Sequence, residues 1–71
     1  MTQTKSAFLK RVGIQFRNAR KDKDWSQEEL ADMAGIHRTY MGRIERGEAN
    51  APIYTLRKIA KVLKLTNLQI D

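Results

Sequence analysis

Arg38, Thr39, Arg43 and Arg46 fall within one short stretch, IHRTYMGRIERG, and their side chains suit one kind of chemistry. A guanidinium is a planar fork of donors, able to give two parallel hydrogen bonds to the O6 and N7 acceptors of a guanine in a DNA major groove. A threonine offers its hydroxyl to a base or phosphate and its methyl to the methyl of thymine. On a helical wheel at about 100° per residue, Thr39, Gly42, Arg43 and Arg46 gather on one side. His37, Tyr40, Met41 and Ile44 gather on the other, and Arg38 stands at the exposed N-terminal edge. Such a helix is basic and low in bulk outward, apolar to aromatic inward. The plainer reading of each arginine is a solvated side chain or a phosphate contact. Gly42 in mid-helix costs about 1 kcal/mol relative to Ala. Close approach of a partner would give that glycine a reason; a surface glycine with no role is the alternative.

A helix that faces outward in this way must be held by others. The segment WSQEELADMAG, immediately before it, reads as a short helix over about 26–34. Ser26 with Glu29 three residues on has the form of a capping box, Leu30, Ala31 and Ala34 make its buried stripe, and Gly35 ends it in the left-handed conformation. The basic helix then spans about 37–46, and two helices joined by so tight a turn have the geometry of a helix-turn-helix DNA reader. Phe8, Val12, Phe16 and Ala19 repeat at helical spacing and predict a first helix from Ser6 to Asp22, with Lys10, Arg11, Arg17, Arg20 and Lys21 on its other faces. Ile53, Leu56, Ile59, Ala60 and Leu63 predict a fourth helix, with Pro52 at or near its first turn. Thr66 is placed to cap a final short turn carrying Leu68 and Ile70. Residues 1–5 have no core to join and are expected to form a disordered tail, leaving one domain over 6–71. Strand-like alternation is absent. The expected fold is all-α, a compact five-helix bundle with Phe16, Trp25, Leu30, Met41, Ile44, Leu56 and Leu63 buried.

Composition narrows the partners. Seventy-one residues allow a single small core, and with no Cys and one His the chain has neither disulfides nor an evident metal site. Fourteen Lys and Arg against eight Asp and Glu give +6, with an isoelectric point near 10.1. That balance favours a polyanion, nucleic acid first and an anionic membrane surface second; a merely solvated basic surface is the bland alternative. The basic residues are spread over a folded bundle and form no single membrane-binding stripe. No apolar run approaches ~18 residues and no signal peptide pattern opens the chain, so a cytoplasmic protein is expected. Catalysis is not expected: there is no Cys nucleophile, no phosphate-cradling glycine loop, and no acid or Ser evident beside His37. Glu28 and Glu29, adjacent on a helix, point apart and form no dyad. No cofactor is expected.

The linked motifs W-S-Q-E-E-L-A, I-E-R-G and T-L-R-K-I-A-K-V-L, from about Val12 to Leu65, resemble the Xre/Cro family of helix-turn-helix regulators, which includes lambdoid phage repressors. The stretch R-T-Y-M-G-R-I-E-R-G is also similar to the controller proteins of restriction-modification systems. The resemblance implies a lambda-repressor-like five-helix fold in a bacterial or phage-encoded protein. It also implies a homodimer bound to a two-fold symmetric double-stranded operator near a promoter, with RNA polymerase as a further partner. Carried over by position, Arg38, Thr39 and Arg43 match residues that read bases or adjoining phosphates. Gln27, Arg46 and Asn50 match residues that grip the backbone, and Tyr40 is taken with them. Arg20 and Glu45 match a salt-bridged pair linking the first helix to the third; for Glu45 the alternative is simple solvation.

Some positions depart from the family pattern. Asp24 stands where glycine often ends the first helix, and Asp adopts the left-handed conformation less readily. His37 replaces the usual Ser, Thr or Asp cap, so a weaker start to the third helix is expected, with capping or packing favoured over a pH-sensing role. Ala51-Pro52 alters the cap of the fourth helix. Glu48 and Ala49 make the loop before Asn50 less basic, which weakens the backbone-contact expectation there. Leu65, Leu68 and Ile70 are candidate dimer-interface residues, or they only close the core. The alternative function is a protein-interaction module of the same fold, of antitoxin or transcriptional co-activator type. A basic third helix argues against the co-activator form, and no toxin-covering segment is visible.

Overall fold

In the computed structural model, which describes residues 4–65, the first helix opens on a side-chain cap. Thr4 is extended and its hydroxyl accepts from the Ala7 N–H at 3.0 Å, so α1 runs Lys5–Asp22, one residue longer at its start than the apolar spacing suggests. Residues 1–3 of the expected tail lie outside the described residues. Val12, Gly13, Phe16 and Arg20 face inward, while Phe8 and Ala19 pack half-buried against the same core. Arg20 thus leaves the solvated side to which its charge had assigned it.

The connection to the second helix turns at Asp24, which does take the left-handed conformation, with φ 58°. Trp25 follows, half-buried against the core with the Lys23 ammonium 5.5 Å from its ring centroid. The capping box then forms: the Ser26 hydroxyl accepts from the Glu29 N–H at 3.0 Å, and the Glu29 carboxylate accepts from the Ser26 N–H at 2.7 Å. It opens α2, Gln27–Ala34, which Gly35 closes at φ 70°.

Helix α3, Arg38–Glu45, begins at His37, whose Nδ1 accepts from the Thr39 N–H at 3.0 Å. An imidazole therefore does the work of the usual hydroxyl, and the helix start is not bare. Because it caps, His37 lies exposed outside the helix instead of on the inward face where the wheel put it. Pro52 precedes α4, Ile53–Leu63, without a side-chain cap. Leu56, Ile59, Ala60 and Leu63 are buried, but Ile53, the first residue of α4, is 45% exposed.

Helix α2 packs on α3 and α4, and α1 packs across the same two. The buried side chains Val12, Phe16, Leu30, Met41, Ile44, Leu56, Ile59 and Leu63 meet between them in one cluster. Of the seven residues named as the expected buried set, only Trp25 stays partly exposed. Four helices and no strand are present among the described residues; the fifth helix, expected from Thr66 with Leu68 and Ile70, lies outside them. No described helix is long and apolar enough to cross a membrane.

Helix α4 ends at Lys64 in the left-handed conformation, φ 58°, with the Leu65 N–H donating to the Ala60 carbonyl at 2.9 Å. A non-glycine residue there costs about 1–2 kcal/mol, more than the roughly 0.4–1 kcal/mol by which a glycine stabilises the unfolded chain. Lys64→Gly is therefore expected to raise stability by about 0.5–1 kcal/mol in urea unfolding.

Candidate nucleic-acid interface

The orientation of α3 is set by a buried polar network that reaches three elements. Arg20 on α1 donates through Nε to Glu45 Oε2 at 2.8 Å and through Nη2 to Glu45 Oε1 at 3.1 Å, a bidentate pair of fork and carboxylate. Its third nitrogen, Nη1, donates to the Trp25 carbonyl at 2.8 Å. Gln27, the first residue of α2, donates through Nε2 to Glu45 Oε1 at 3.0 Å. The side chains of Arg20 and Glu45 are only 10% and 2% exposed, so Glu45 is not a solvated acid. Among the described residues no buried side-chain polar atom lacks a partner. The network ties the end of α1, the entry to α2 and the last turn of α3 to one carboxylate.

Gly13 completes this junction from the other side. A Cβ there would sit 2.4 Å from the Glu45 carbonyl oxygen and 2.6 Å from that of Ile44, so α1 and the end of α3 touch backbone to backbone. Sequence reasoning gave Gly13 no role. Glycine at a helical position between buried residues was its only signal.

Outward, Arg38, Thr39, Arg43 and Arg46 are all exposed. Gln27, Arg38, Thr39, Gly42 and Arg46 line one open groove between the start of α2 and the face of α3, with Ser26 and Glu28 at its edge. Gly42 is its floor and is buried, contrary to the open outward position expected of it. The side chains of Arg46 and Gln27 cover it: a Cβ on Gly42 would meet Arg46 Nη1 at 3.2 Å and Gln27 Oε1 at 3.3 Å.

The cations of this face are loosely engaged. Arg38 Nη1 is 3.9 Å from Glu28 Oε1, with the two side chains 68% and 66% exposed, a pair that solvent screens to little. Arg43 Nη2 donates to the Glu48 carbonyl at 3.3 Å, and Arg46 Nε donates to Glu48 Oε1 at 3.0 Å. Asn50 is exposed but outside the groove lining, and Tyr40 is half-buried against the core. Leu65 also packs half-buried on the core; Leu68 and Ile70 lie outside the described residues. The groove is thus a concave array of amide, hydroxyl and guanidinium donors, arranged for anionic or acceptor-rich edges.

Residues 16–69 match the helix-turn-helix family. Over 47 residues the chain is 47% identical to the control protein C.SmaI of Serratia marcescens, which covers 66% of this chain and 56% of that protein. It is 42% identical over 52 residues to the control protein C.BamHI of Bacillus amyloliquefaciens, covering 72% of this chain and 64% of the relative. The chain thus spans under two thirds of the length of either relative. The crystal structure of the restriction-modification controller protein C.AhdI from Aeromonas hydrophila superposes with a TM-score of 0.75 at 38% identity, covering 79% of this chain and 85% of that one.

Proposed function

We propose that this chain, which belongs to the helix-turn-helix family, is a DNA-binding transcriptional regulator that seats α3 in the major groove. The observation that carries the reading is the exposed row Arg38, Thr39 and Arg43 on a helix whose other side is locked to α1 and α2 by the Arg20–Glu45–Gln27 network. A rigid mount matters because base readout depends on donors held in register with base edges. In this reading Arg38 and Arg43 donate to guanine, Thr39 contacts a base or phosphate, and Arg46 and Gln27 hold the sugar-phosphate chain. Gln27 can do so while bonded to Glu45, since its amide has two N–H donors and Glu45 uses one. Asn50 grips the backbone beside the end of α3. Tyr40, half-buried, would reach DNA only through its hydroxyl.

One such domain contacts few base pairs, so the working form is a homodimer on a two-fold symmetric operator, its recognition helices about 34 Å apart. Leu65, Leu68 and Ile70 are the interface candidates. The similarity to C.SmaI, C.BamHI and C.AhdI supports a controller role of the restriction-modification type. A site near a promoter would make RNA polymerase a further partner. The exposed cations of α3 favour DNA over a pure protein-interaction module of the same fold.

The test starts from an operator selected out of randomised duplexes, expected to show two half-sites about one turn apart. On it, Arg38→Ala and Arg43→Ala should each lose about 1–3 kcal/mol and relax preference at particular base pairs, with little change on scrambled duplex. Equal losses on both duplexes would make these arginines phosphate clamps and move specificity to Thr39 or DNA shape.

A further inference from the structure

The turn that leaves α3 folds Glu48 back onto the end of that helix, its carboxylate on Arg46 and its carbonyl on Arg43. Gly47 takes φ 74°, the Glu48 N–H donates to the Arg43 carbonyl at 2.8 Å, and the Gly47 N–H donates to the Ile44 carbonyl at 3.0 Å. This is the Schellman closure, and it fixes the residue after the glycine against the last turn of the helix. Here that residue is Glu48. Its Oε1 accepts from Arg46 Nε at 3.0 Å, both side chains being a little over half exposed, while its carbonyl accepts from Arg43 Nη2 at 3.3 Å. A Cβ built on Gly42 would lie 3.2 Å from Arg46 Nη1, so the bound guanidinium lies back across the floor of the groove.

We propose that Glu48 is an affinity brake: its carboxylate occupies Arg46 in the free protein, and Arg46 reaches a DNA phosphate only by exchanging Glu48 for it. The inference rests on the DNA reading of the α3 face. A carboxylate and a phosphate compete for the same guanidinium donors. On exchange, Glu48 is left uncompensated beside the polyanion, which opposes binding on every sequence alike. The brake also cancels one cation, so the protein releases about one counterion fewer than its arginines would allow. Glu48 thus lowers overall affinity without touching base readout, keeping the protein from saturating on arbitrary DNA.

The variant that tests this is Glu48→Gln, which removes the charge and keeps the backbone bonds to Arg43. It should tighten binding to operator and scrambled duplex by about two- to tenfold each at low salt, and steepen the slope of log affinity against log salt by about one unit. Placed on Arg46→Ala, the same change should gain clearly less, because the occupied arginine is gone. Three outcomes overturn the brake. Weaker binding by Glu48→Gln would mean that Glu48 positions Arg46 for phosphate. Unchanged affinity in Glu48→Gln, with Arg46→Ala weaker, would leave the DNA reading standing without the brake. Equal gains with and without Arg46 would reduce Glu48 to through-space repulsion. If neither Arg46→Ala nor Arg38→Ala weakens binding, the DNA reading itself has failed.

Discussion

Glu45→Ala is expected to lower the unfolding free energy by about 3–5 kcal/mol, the cost of stripping one partner from a buried pair. A small domain holds only roughly 5–15 kcal/mol in all, so the variant should be largely unfolded at modest temperature. The loss is severe because the guanidinium left behind, on a side chain 10% exposed, keeps only the Trp25 carbonyl as acceptor. Gln27 loses its acceptor in the same step. The converse follows from the same desolvation argument. Arg20→Met with Glu45→Leu removes both charges and fills similar volume, so it should recover most of the lost stability. Circular dichroism during urea unfolding of the single and double variants measures the difference. If the double variant folds, operator binding reports the other role: without Glu45, Gln27 loses its tether and α3 its fixed angle to α2, so affinity should stay below wild type although the fold returns. A single variant that costs under about 1 kcal/mol would show that the pair is solvated in practice and does not set the mount.

The sequence announced this network only in part. The periodicity of α1, α2 and α4 and the Ser26–Glu29 box reflect local rules, spacing of apolar residues and capping of free N–H groups, and they are readable without tertiary knowledge. So is the division of α3 into an inward and an outward face. Non-local contacts are harder. Arg20 lies 25 positions before Glu45 and by pattern alone looks like one more cation of a basic helix; only the family resemblance paired the two, and the burial and bidentate contact become visible when α1 crosses α3. Tertiary packing also moved Gly42, outward on the wheel, beneath the side chains of Gln27 and Arg46. His37 misled for a local reason: a wheel treats every residue as helical, whereas a cap residue is extended and its side chain turns back to the first N–H groups. The packing of Gly13 and the contacts of Glu48 had no such guide, since each depends on what a distant or folded-back segment brings beside it.

Gly13→Val should destabilise the protein by about 3 kcal/mol or more, among the largest effects open to an uncharged substitution here. Helix propensity alone predicts the opposite direction: glycine inside a helix costs about 0.8–1 kcal/mol relative to Ala, so any side chain that helices accept should help. The position decides otherwise. A Cβ on Gly13 would stand 2.4 Å from one backbone carbonyl oxygen and 2.6 Å from the next, and neither can rotate away as a side chain would. Relief requires α1 to move off α3, which loosens the core around Val12 and Phe16 and stretches the Arg20–Glu45 bonds at the same crossing. Gly13→Ala, with no γ-carbons, should fall between, a loss of about 1–3 kcal/mol. The contrast is Gly42→Ala, where the nearest atoms are the ends of Arg46 and Gln27 at 3.2 and 3.3 Å. Arg46 is over half exposed and can swing into solvent, and Gln27 has to give only a few tenths of an ångström while it stays on Glu45, so stability there should rise or stay level within about 1 kcal/mol, following propensity. Thermal unfolding of the three variants separates the cases, and a Gly13→Ala protein as stable as wild type would mean that α1 and α3 have slack at their crossing.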